Sequence, residues 1–190
     1  MISENPALQL LQQRNSSAKL TAPAPTALEL EEIFKAALRA PDHGAMRPWS
    51  FITIAGDARV KLGELFVKAQ MNNGVQMDED KIRKICSKPL RAPLIVAVAA
   101  SVTESAKIPD IEQIVSAGCA AQNILLAVEA LGYSAVWRTG EMAYDDFVQD
   151  GLGLEQHQML LGFIYIGTRD MKAKPLPQHS LQDTFRDWHG

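Results

Sequence analysis

One continuously apolar run, LIVAVAA, lies between Pro93 and Ser101 and constrains the fold more than any other stretch of this chain. A strand with one face in water alternates apolar and polar residues, whereas a strand covered on both faces is apolar throughout. The run therefore predicts a strand near the centre of a sheet that has both of its faces covered.

A long helix is predicted from Asp110 to Leu131, with Gly132 as its C-cap. Its second half, AGCAAQNILLAVEAL, is apolar nearly all the way round. A helix on the surface of a domain shows a single apolar stripe instead. This helix is therefore expected to belong either to the core of the domain or to a subunit interface.

Two shorter helices carry clear start signals. Asn5-Pro6 suits an N-cap followed by proline at the first helical position, and Thr26 with Glu29 fits a capping box whose helix ends before Pro41. The remaining predicted elements are strands at residues 51–55, 133–137 and 160–166, a helix around residues 60–66 and a short helix around residues 144–150. The polar stretch MNNGVQMDEDKIRK is assigned no element.

The order of these elements predicts an α/β or α+β layered architecture, with about four strands interleaved with four or five helices. Residues 1–190 are expected to form a single domain, since no repeat or linker interrupts them. The tail beyond Gly167 has no core pattern of its own. It nevertheless ends with Phe185 and Trp188, which suggests that it packs against something, a partner subunit being one candidate.

Composition narrows the class of protein. With 47% hydrophobic and 22% charged residues the chain can bury a core and keep a solvated surface. The net charge is −3 and no long basic run is present, so a nucleic-acid partner is not expected. The amino terminus lacks the pattern of a signal peptide and no apolar run reaches the length of a membrane span, which predicts a cytoplasmic protein.

The common catalytic and nucleotide motifs are missing from this sequence. It has no GxxxxGK loop, no nucleophile elbow and no HExxH, and Gly151-Leu-Gly153 lacks a third glycine and a preceding strand. Cys86 and Cys119 have no neighbours at metal-ligand spacing, and the histidines are scattered. These histidines are His43, His157, His179 and His189. Rossmann, P-loop, hydrolase and metalloenzyme interpretations are therefore disfavoured.

Three groups of basic and hydroxyl residues remain at the ends of predicted elements. They are Arg14-Asn15-Ser16-Ser17, Arg39 with His43, and Trp137-Arg138-Thr139. Together they offer what flavin mononucleotide (FMN) needs: cations for a phosphate, hydroxyl groups for its oxygens, and positive charge beside a reduced ring. Each group also has an ordinary structural explanation, as solvated helix-end arginines, backbone-capping hydroxyls, a turn histidine and a core tryptophan. Arg138 is the exception, because an arginine directly after a buried strand needs an anionic or solvent-facing partner.

The sequence resembles the nitroreductase family, and within it the YdjA-like subgroup, over nearly the whole chain from about Ala7 to Gly167. The segments that carry the resemblance are LLQQRNSSAKLTAPAPT (10–26), ALRAPDHGAMRPWSF (37–51), RAPLIVAV (91–98), SAGCAAQNILLAVEALGYSAVWRTG (116–140) and LLGFIYIGT (160–168). Several long, ordered matches of this kind are more specific than any short motif.

The resemblance implies a mixed sheet flanked by helices in a three-layer α-β-α arrangement, and an interlocked homodimer with two FMN sites at its interface. The residues implied to contact FMN within one subunit are Arg14, Asn15, Ser16, Trp137, Arg138 and Thr139. Those implied to come from the other subunit are Arg39 and His43. The region implied to be associated with NADH or NADPH is Ala127, Val128, Glu129, Ala130, Leu131 and Gly132.

The activity implied by the resemblance is a ping-pong reaction in which NAD(P)H reduces the flavin and a nitroaromatic or quinone-like acceptor reoxidises it. Because the flavin does the redox chemistry, no side chain is assigned as a catalytic nucleophile or general acid. One departure is Asn15, where the family usually has a second arginine, so that FMN affinity or flavin potential could differ. The alternatives are a flavin reductase acting on enones or halogenated aromatics, a flavin-binding module without turnover, and a dimer that has lost its cofactor.

Overall fold

The computed structural model describes residues 4–104, 107–177 and 180–190, so His179 lies outside the described residues. The helices are α1 (Pro6–Gln13), α2 (Ala27–Ala37), α3 (Ala58–Asn72), α4 (Glu79–Cys86), α5 (Asp110–Ala130) and α6 (Asp146–Gly151). The strands are β1 (Leu20–Thr21), β2 (Trp49–Ala55), β3 (Leu94–Ser101), β4 (Ser134–Arg138) and β5 (Gln158–Arg169).

The five strands form one sheet in which β5 is the longest strand. One edge of β5 pairs with β3, which pairs in turn with β2. The other edge pairs with β4 and, further along, with the short β1. Every one of these pairings is antiparallel.

Helices cover both faces of the sheet. In β3, Leu94, Val96 and Val98 pack in the cluster formed with α2 and α5, while Ile95 and Ala97 pack on the opposite face in the cluster formed with α3, α4 and α6. Because successive side chains of a strand point to opposite faces, both faces of β3 are apolar and buried. The predicted central strand and the three layers are therefore confirmed.

The first two helices begin as their sequences predict. The Asn5 side chain accepts hydrogen bonds from the backbone N–H groups of Ala7 and Leu8. Thr26 and Glu29 form a reciprocal capping box, in which each side chain accepts a hydrogen bond from the other residue's backbone N–H. These local caps set the start of α1 and α2, and the Tyr133 hydroxyl adds a tertiary hydrogen bond to the Glu29 carboxylate at 3.0 Å.

Two expectations from the sequence were wrong. The sheet is antiparallel throughout the described strands rather than mixed. A pair of helices, α3 and α4, joins β2 to β3 and returns the chain antiparallel to its starting strand, so a helical connection here does not produce a parallel pair. The polar stretch at residues 71–84 also holds most of α4, a short helix whose apolar residues, Ile82, Ile85 and Cys86, stand among charged ones and pack against the core.

Helix α5 packs against α2 and β3, with Ala117, Ala121, Ile124 and Val128 among its buried residues. By length and composition alone it could cross a membrane, and it is the one helix among the described residues that meets this test. The sequence-based expectation that no apolar run is long enough was therefore too strict. The buried core helix of a globular domain meets the same test.

Candidate functional site

The segment Arg14–Ser17 runs along the outer edge of β4. The backbone N–H of Ser17 donates to the carbonyl oxygen of Ala135 at 3.1 Å, and the buried Ser17 hydroxyl donates to the carbonyl of Lys19 at 3.1 Å. Ala135 lies three residues before Arg138, which is about 10 Å along a strand. The fold therefore brings two of the predicted groups, residues 14–17 and residues 137–139, to one edge of the sheet.

Arg14 is the C-cap of α1 and is half-buried. Its Nη1 atom donates to the hydroxyl oxygen of Ser16 at 3.3 Å. The positive charge of Arg14 also acts on the carboxylate of Glu129 in the last turn of α5. Arg14 and Ser16 thus offer a guanidinium and a hydroxyl group side by side, as a phosphate group requires.

Asn15 points toward the carboxy-terminal tail. Its Nδ2 atom donates to the carbonyl oxygen of Lys174 at 2.6 Å. Asn15 therefore ties the tail to the end of α1. The aromatic residues further along the tail are not covered, since Phe185 is 72% and Trp188 is 89% exposed.

Trp137 is held by an irregularity in β5. The pairing of β3 with β5 shifts register between Val98 and Ala99, which leaves Leu161 as an extra residue in a β-bulge. The indole Nε1 of Trp137 donates to the carbonyl of Leu161 at 3.1 Å, and the ring packs on the α2 and α5 side of the sheet. Within one chain, Trp137 therefore has a structural role that fixes the end of β4.

Arg138 points to the opposite face of the sheet from Trp137. Its guanidinium carbon lies 5.6 Å from the centre of the Tyr165 ring. Its Nε atom is buried and, among the described residues, is the one buried side-chain nitrogen or oxygen without a hydrogen-bond partner. An unpaired buried donor of a cation is costly, so this atom marks a place where an acceptor from outside the chain would stabilise the fold.

A cleft of about 610 Å³ opens beside Arg138, within the size range of small-molecule sites. We call it the first cleft. Its walls combine aromatic rings with three cations and one carboxylate. Its lining residues are Phe66, Lys88, Arg91, Trp137, Arg138, Thr139, Gly140, Glu141, Met142, Phe163 and Tyr165. This arrangement suits a planar, aromatic and anionic ligand, which would stack against the rings and bring negative charge to the cations.

Tyr165 forms part of the floor of the first cleft and is buried. Burial raises the pKa of its phenol, and the charges of Arg138 and Arg91 oppose this shift only in part. The phenol therefore stays protonated at neutral pH and can donate a hydrogen bond but carries no charge.

Arg39 and His43 lie elsewhere in the chain. Arg39 is exposed just after α2, and His43 Nδ1 lies 2.6 Å from Glu112 Oε2 near the start of α5. Glu129, which interacts with Arg14, lies in the last turn of α5. The two carboxylates are separated by about 25 Å along the helix axis at 1.5 Å per residue. Within one chain, Arg39 and His43 therefore do not meet the other two predicted groups, residues 14–17 and residues 137–139.

The region predicted to be associated with nicotinamide is the carboxy-terminal end of α5. Gly132 adopts a φ of 82° and ends the helix with Tyr133 in a Schellman motif, donating to the carbonyl of Glu129 while Tyr133 donates to that of Val128. The Val128 side chain is fully buried, and Glu129 pairs with Arg169 at 3.3 Å. Of residues 127–132, the exposed ones are Ala130, Leu131 and Gly132.

The comparison with family profiles gives a single description for most of the chain. The nitroreductase family matches residues 11–168. The chain belongs to the nitroreductase family. It is therefore an oxidoreductase by family.

Relatives and solved structures agree with this membership. YdjA of Escherichia coli K12, named as an NAD(P)H nitroreductase, is 38% identical over 167 residues, which cover 88% of this chain and 90% of YdjA. A nitroreductase-like protein from Bacillus cereus has the same fold, with a TM-score of 0.84, 22% identity and full coverage of both chains. A nitroreductase from Desulfovibrio desulfuricans, solved in complex with FMN, gives a TM-score of 0.76 at 22% identity and 99% coverage of both chains.

Sequence reasoning missed two cations of the first cleft, Lys88 and Arg91. Both lie in a 3-10 turn that follows α4, where the sequence offered no predicted element. Gly63 lets α3 approach the end of α4 closely, since a Cβ at this position would overlap the carbonyl oxygen of Cys86, and the turn that follows packs beside α3. No local pattern marks these two residues, since Lys88 comes six and Arg91 three residues before the start of the buried strand β3 at Leu94.

Proposed function

We propose that this chain binds FMN and uses NADH or NADPH to reduce nitroaromatic or quinone-like acceptors in a ping-pong reaction. The observation that carries the proposal is the buried, unpartnered Arg138 Nε atom in the wall of a cleft lined by cations and aromatic rings. Family membership and the FMN-bound relative from Desulfovibrio desulfuricans support the choice of flavin over other aromatic anions.

The first cleft would hold the flavin ring. Arg138, Arg91 and Lys88 supply positive charge around it, while Phe163 and Tyr165 supply ring surfaces. FMN, when bound, supplies the two-electron redox chemistry that no side chain of this family member provides. The cations would stabilise the negative charge of a reduced ring, and the neutral Tyr165 phenol would leave this positive field undiminished.

Arg14 and Ser16 would bind the phosphate group. The next residue, Ser17, bonds to Ala135, which lies about 10 Å along β4 from Arg138. An elongated ligand with an anionic group at one end and an aromatic ring at the other matches this separation. Asn15 would add hydrogen-bonding capacity without charge, and its present bond to Lys174 places the tail beside the phosphate region.

A homodimer would complete the site. The outer face of α5 is apolar and exposed, with Ile111 at 63% and Val115 at 55%, and Gly118 follows without a side chain. A two-fold axis that packs α5 antiparallel against its copy would place the start of one helix beside the end of the other. Arg39 and His43 of one subunit would then lie next to Arg14 of its partner, which accounts for the long distance between them in one chain.

In this arrangement the chain's own residues bind and orient but transfer no proton. Dimerisation would remove water from the α5 face and from the phosphate region, which strengthens every charge interaction there. The first cleft stays open on one side, so that reductant and acceptor can use the same approach in turn. We propose the cytoplasm as the compartment, because both nicotinamide reductants are available there.

The experiment is an anaerobic titration of FMN-loaded protein. NADH or NADPH should bleach the visible flavin bands, and a nitroaromatic or quinone should restore them. The Arg138→Gln variant should bind FMN about tenfold more weakly, because a charge-assisted contact is lost, while Arg186→Gln in the exposed tail should match the wild type. A protein that takes up FMN but is not reduced would instead be a flavin-binding module, and one that takes up none would refute the proposal.

A further inference from the structure

A second and larger cleft, of about 990 Å³, lies directly beside the first. It is bounded by the end of α3, by α4 and by the turn that leads into α6. The two clefts share Lys88, Glu141 and Met142 in their walls. A ligand longer than one ring could therefore occupy both clefts at once.

One wall of the second cleft carries a row of lysines. Lys81, Lys84 and Lys88 follow one another at spacings of three and four residues, which places them on one face of α4 and of the turn after it. The row is about 10 Å long. In the described part of the chain none of the three lysines forms an ion pair.

The carboxylates of the same cleft already have partners. Asp80 pairs with Arg83. Asp145 accepts from Asn73 Nδ2 at 2.6 Å and caps α6. Glu141 accepts from Gln70 Nε2 at 3.4 Å. The acidic groups of the cleft are thus bonded to residues other than the three lysines, so in the described part of the chain the lysine ammonium groups are free to meet an anion.

We infer that Lys81 and Lys84 bind the phosphate groups of NADH or NADPH while its nicotinamide ring lies in the first cleft. This inference rests on the proposed function. A reduced nicotinamide ring is uncharged, whereas the pyrophosphate, and in NADPH a further phosphate, carries the negative charge of the molecule. Lysine is a flexible point charge that binds phosphate readily, and the row begins at Lys88 in the flavin cleft and leads away from it.

This assignment differs from the end of α5, the region that the resemblance associates with NAD(P)H. There Val128 is buried, Glu129 adds negative charge, and Arg169 is already bonded to Glu129 and to the Ser134 hydroxyl. That end of α5 holds no free cation of its own to receive a phosphate. The second cleft holds several.

The test compares two reductants that deliver the same hydride. NADPH and NADH carry phosphates, whereas 1-benzyl-1,4-dihydronicotinamide carries none. In the double variant Lys81→Gln with Lys84→Gln, the dinucleotide concentration that gives half-maximal anaerobic flavin reduction should rise roughly 5- to 20-fold. The benzyl analogue should reduce the variant and the wild type at equal rates. The wild-type response to dinucleotide should also weaken as salt is added.

The matched control is Lys61→Gln with Lys68→Gln, which removes two exposed charges from α3 on the wall of a different surface depression. This control should behave as the wild type with both reductants. Lys81→Gln alone, the change furthest along α4 from the first cleft, should shift the dinucleotide response in the same direction by a smaller factor.

The outcomes separate the two proposals. If neither NADPH, NADH nor the benzyl analogue reduces the FMN-loaded wild type, the proposed function itself fails. If both reductants work and the lysine variant responds to dinucleotide as the wild type does, the inference alone is wrong. The inference is also wrong if the variant is reduced as fast as the wild type but its reoxidation, relative to the wild type, is slowed with 4-nitrobenzoate and not with nitrobenzene. The lysines would then bind an anionic acceptor.

Discussion

Replacing Gly162 by alanine adds one methyl group where the bulge of β5 meets the end of β4. Gly162 has a φ of 136°, which side chains rarely tolerate. A Cβ there would lie 2.5 Å from Trp137 Nε1, 2.7 Å from the Arg138 carbonyl oxygen and 3.0 Å from Thr139 Cγ2. The Arg138 oxygen belongs to the backbone, and the Trp137 ring is fixed by its hydrogen bond to the Leu161 carbonyl. Neither can simply rotate away.

Two costs add at this position. A non-glycine residue in a sparsely populated backbone region costs about 1–3 kcal/mol. Overpacking a well-filled site costs about 1–3 kcal/mol more. We therefore expect Gly162→Ala to lower the free energy of unfolding by about 2–6 kcal/mol and the melting temperature by roughly 10 °C for a chain of this size. FMN should also bind more weakly, because the displaced residues carry part of the proposed site.

The assay is thermal unfolding followed by circular dichroism, with an FMN titration below the transition. Gly56→Ala is the matched control, because Gly56 has a φ of 53° and nothing lies within 4 Å of an added Cβ. That variant should lose only about 1–2 kcal/mol, from the backbone conformation alone. If Gly162→Ala melts at the same temperature as Gly56→Ala, the close approach of β4 to the bulge is not a real constraint and the reasoning fails.

Two further predictions concern the edges of the site. Burial raises the pKa of Glu129 above its ordinary value of 4.5, and the nearby Arg169 opposes this only in part, so its contribution to stability should be lost as pH rises through the folded-state pKa. Urea unfolding measured at increasing pH should therefore show a smaller pH dependence of the free energy of unfolding in Glu129→Gln than in the wild type. An unchanged pH dependence would contradict this assignment. Asn15→Ala should free the tail at Lys174 and speed tryptic cleavage after Lys172 by about two- to tenfold, and an unchanged rate would show that the bond does not hold the tail.

The elements that the sequence predicted well are those whose cause is local. β3 is recognisable because every residue of its apolar run is buried. The start of α2 follows from Thr26 and Glu29, which satisfy each other's backbone groups. By contrast, β1 spans two residues, too few to show any period, and α4 is a short helix whose apolar residues, Ile82, Ile85 and Cys86, stand among charged ones.

The candidate site was predictable in its residue types but not in its assembly. Arg138 stood out because a cation directly after a buried strand needs a partner, and its Nε atom is indeed buried without one in the described chain. The meeting of Arg14 with β4 depends on one backbone hydrogen bond, from Ser17 to Ala135, between distant segments. Lys88 and Arg91 enter the first cleft through the packing of α3 on a turn, which leaves no local pattern.

In the proposed dimer, FMN binds between two copies of the chain, with Arg138 from one and Arg39 from the other. The most direct measurement is FMN binding to a mixed dimer, purified with two different tags, of Arg39→Ala and Arg138→Ala chains. Each variant should bind FMN about tenfold or more weakly as a homodimer. The mixed dimer should then bind one FMN with wild-type affinity, because one of its sites receives both arginines. Two weakened sites in the mixed dimer would show that both arginines act within the same chain, or that they do not share a site, and would contradict the account.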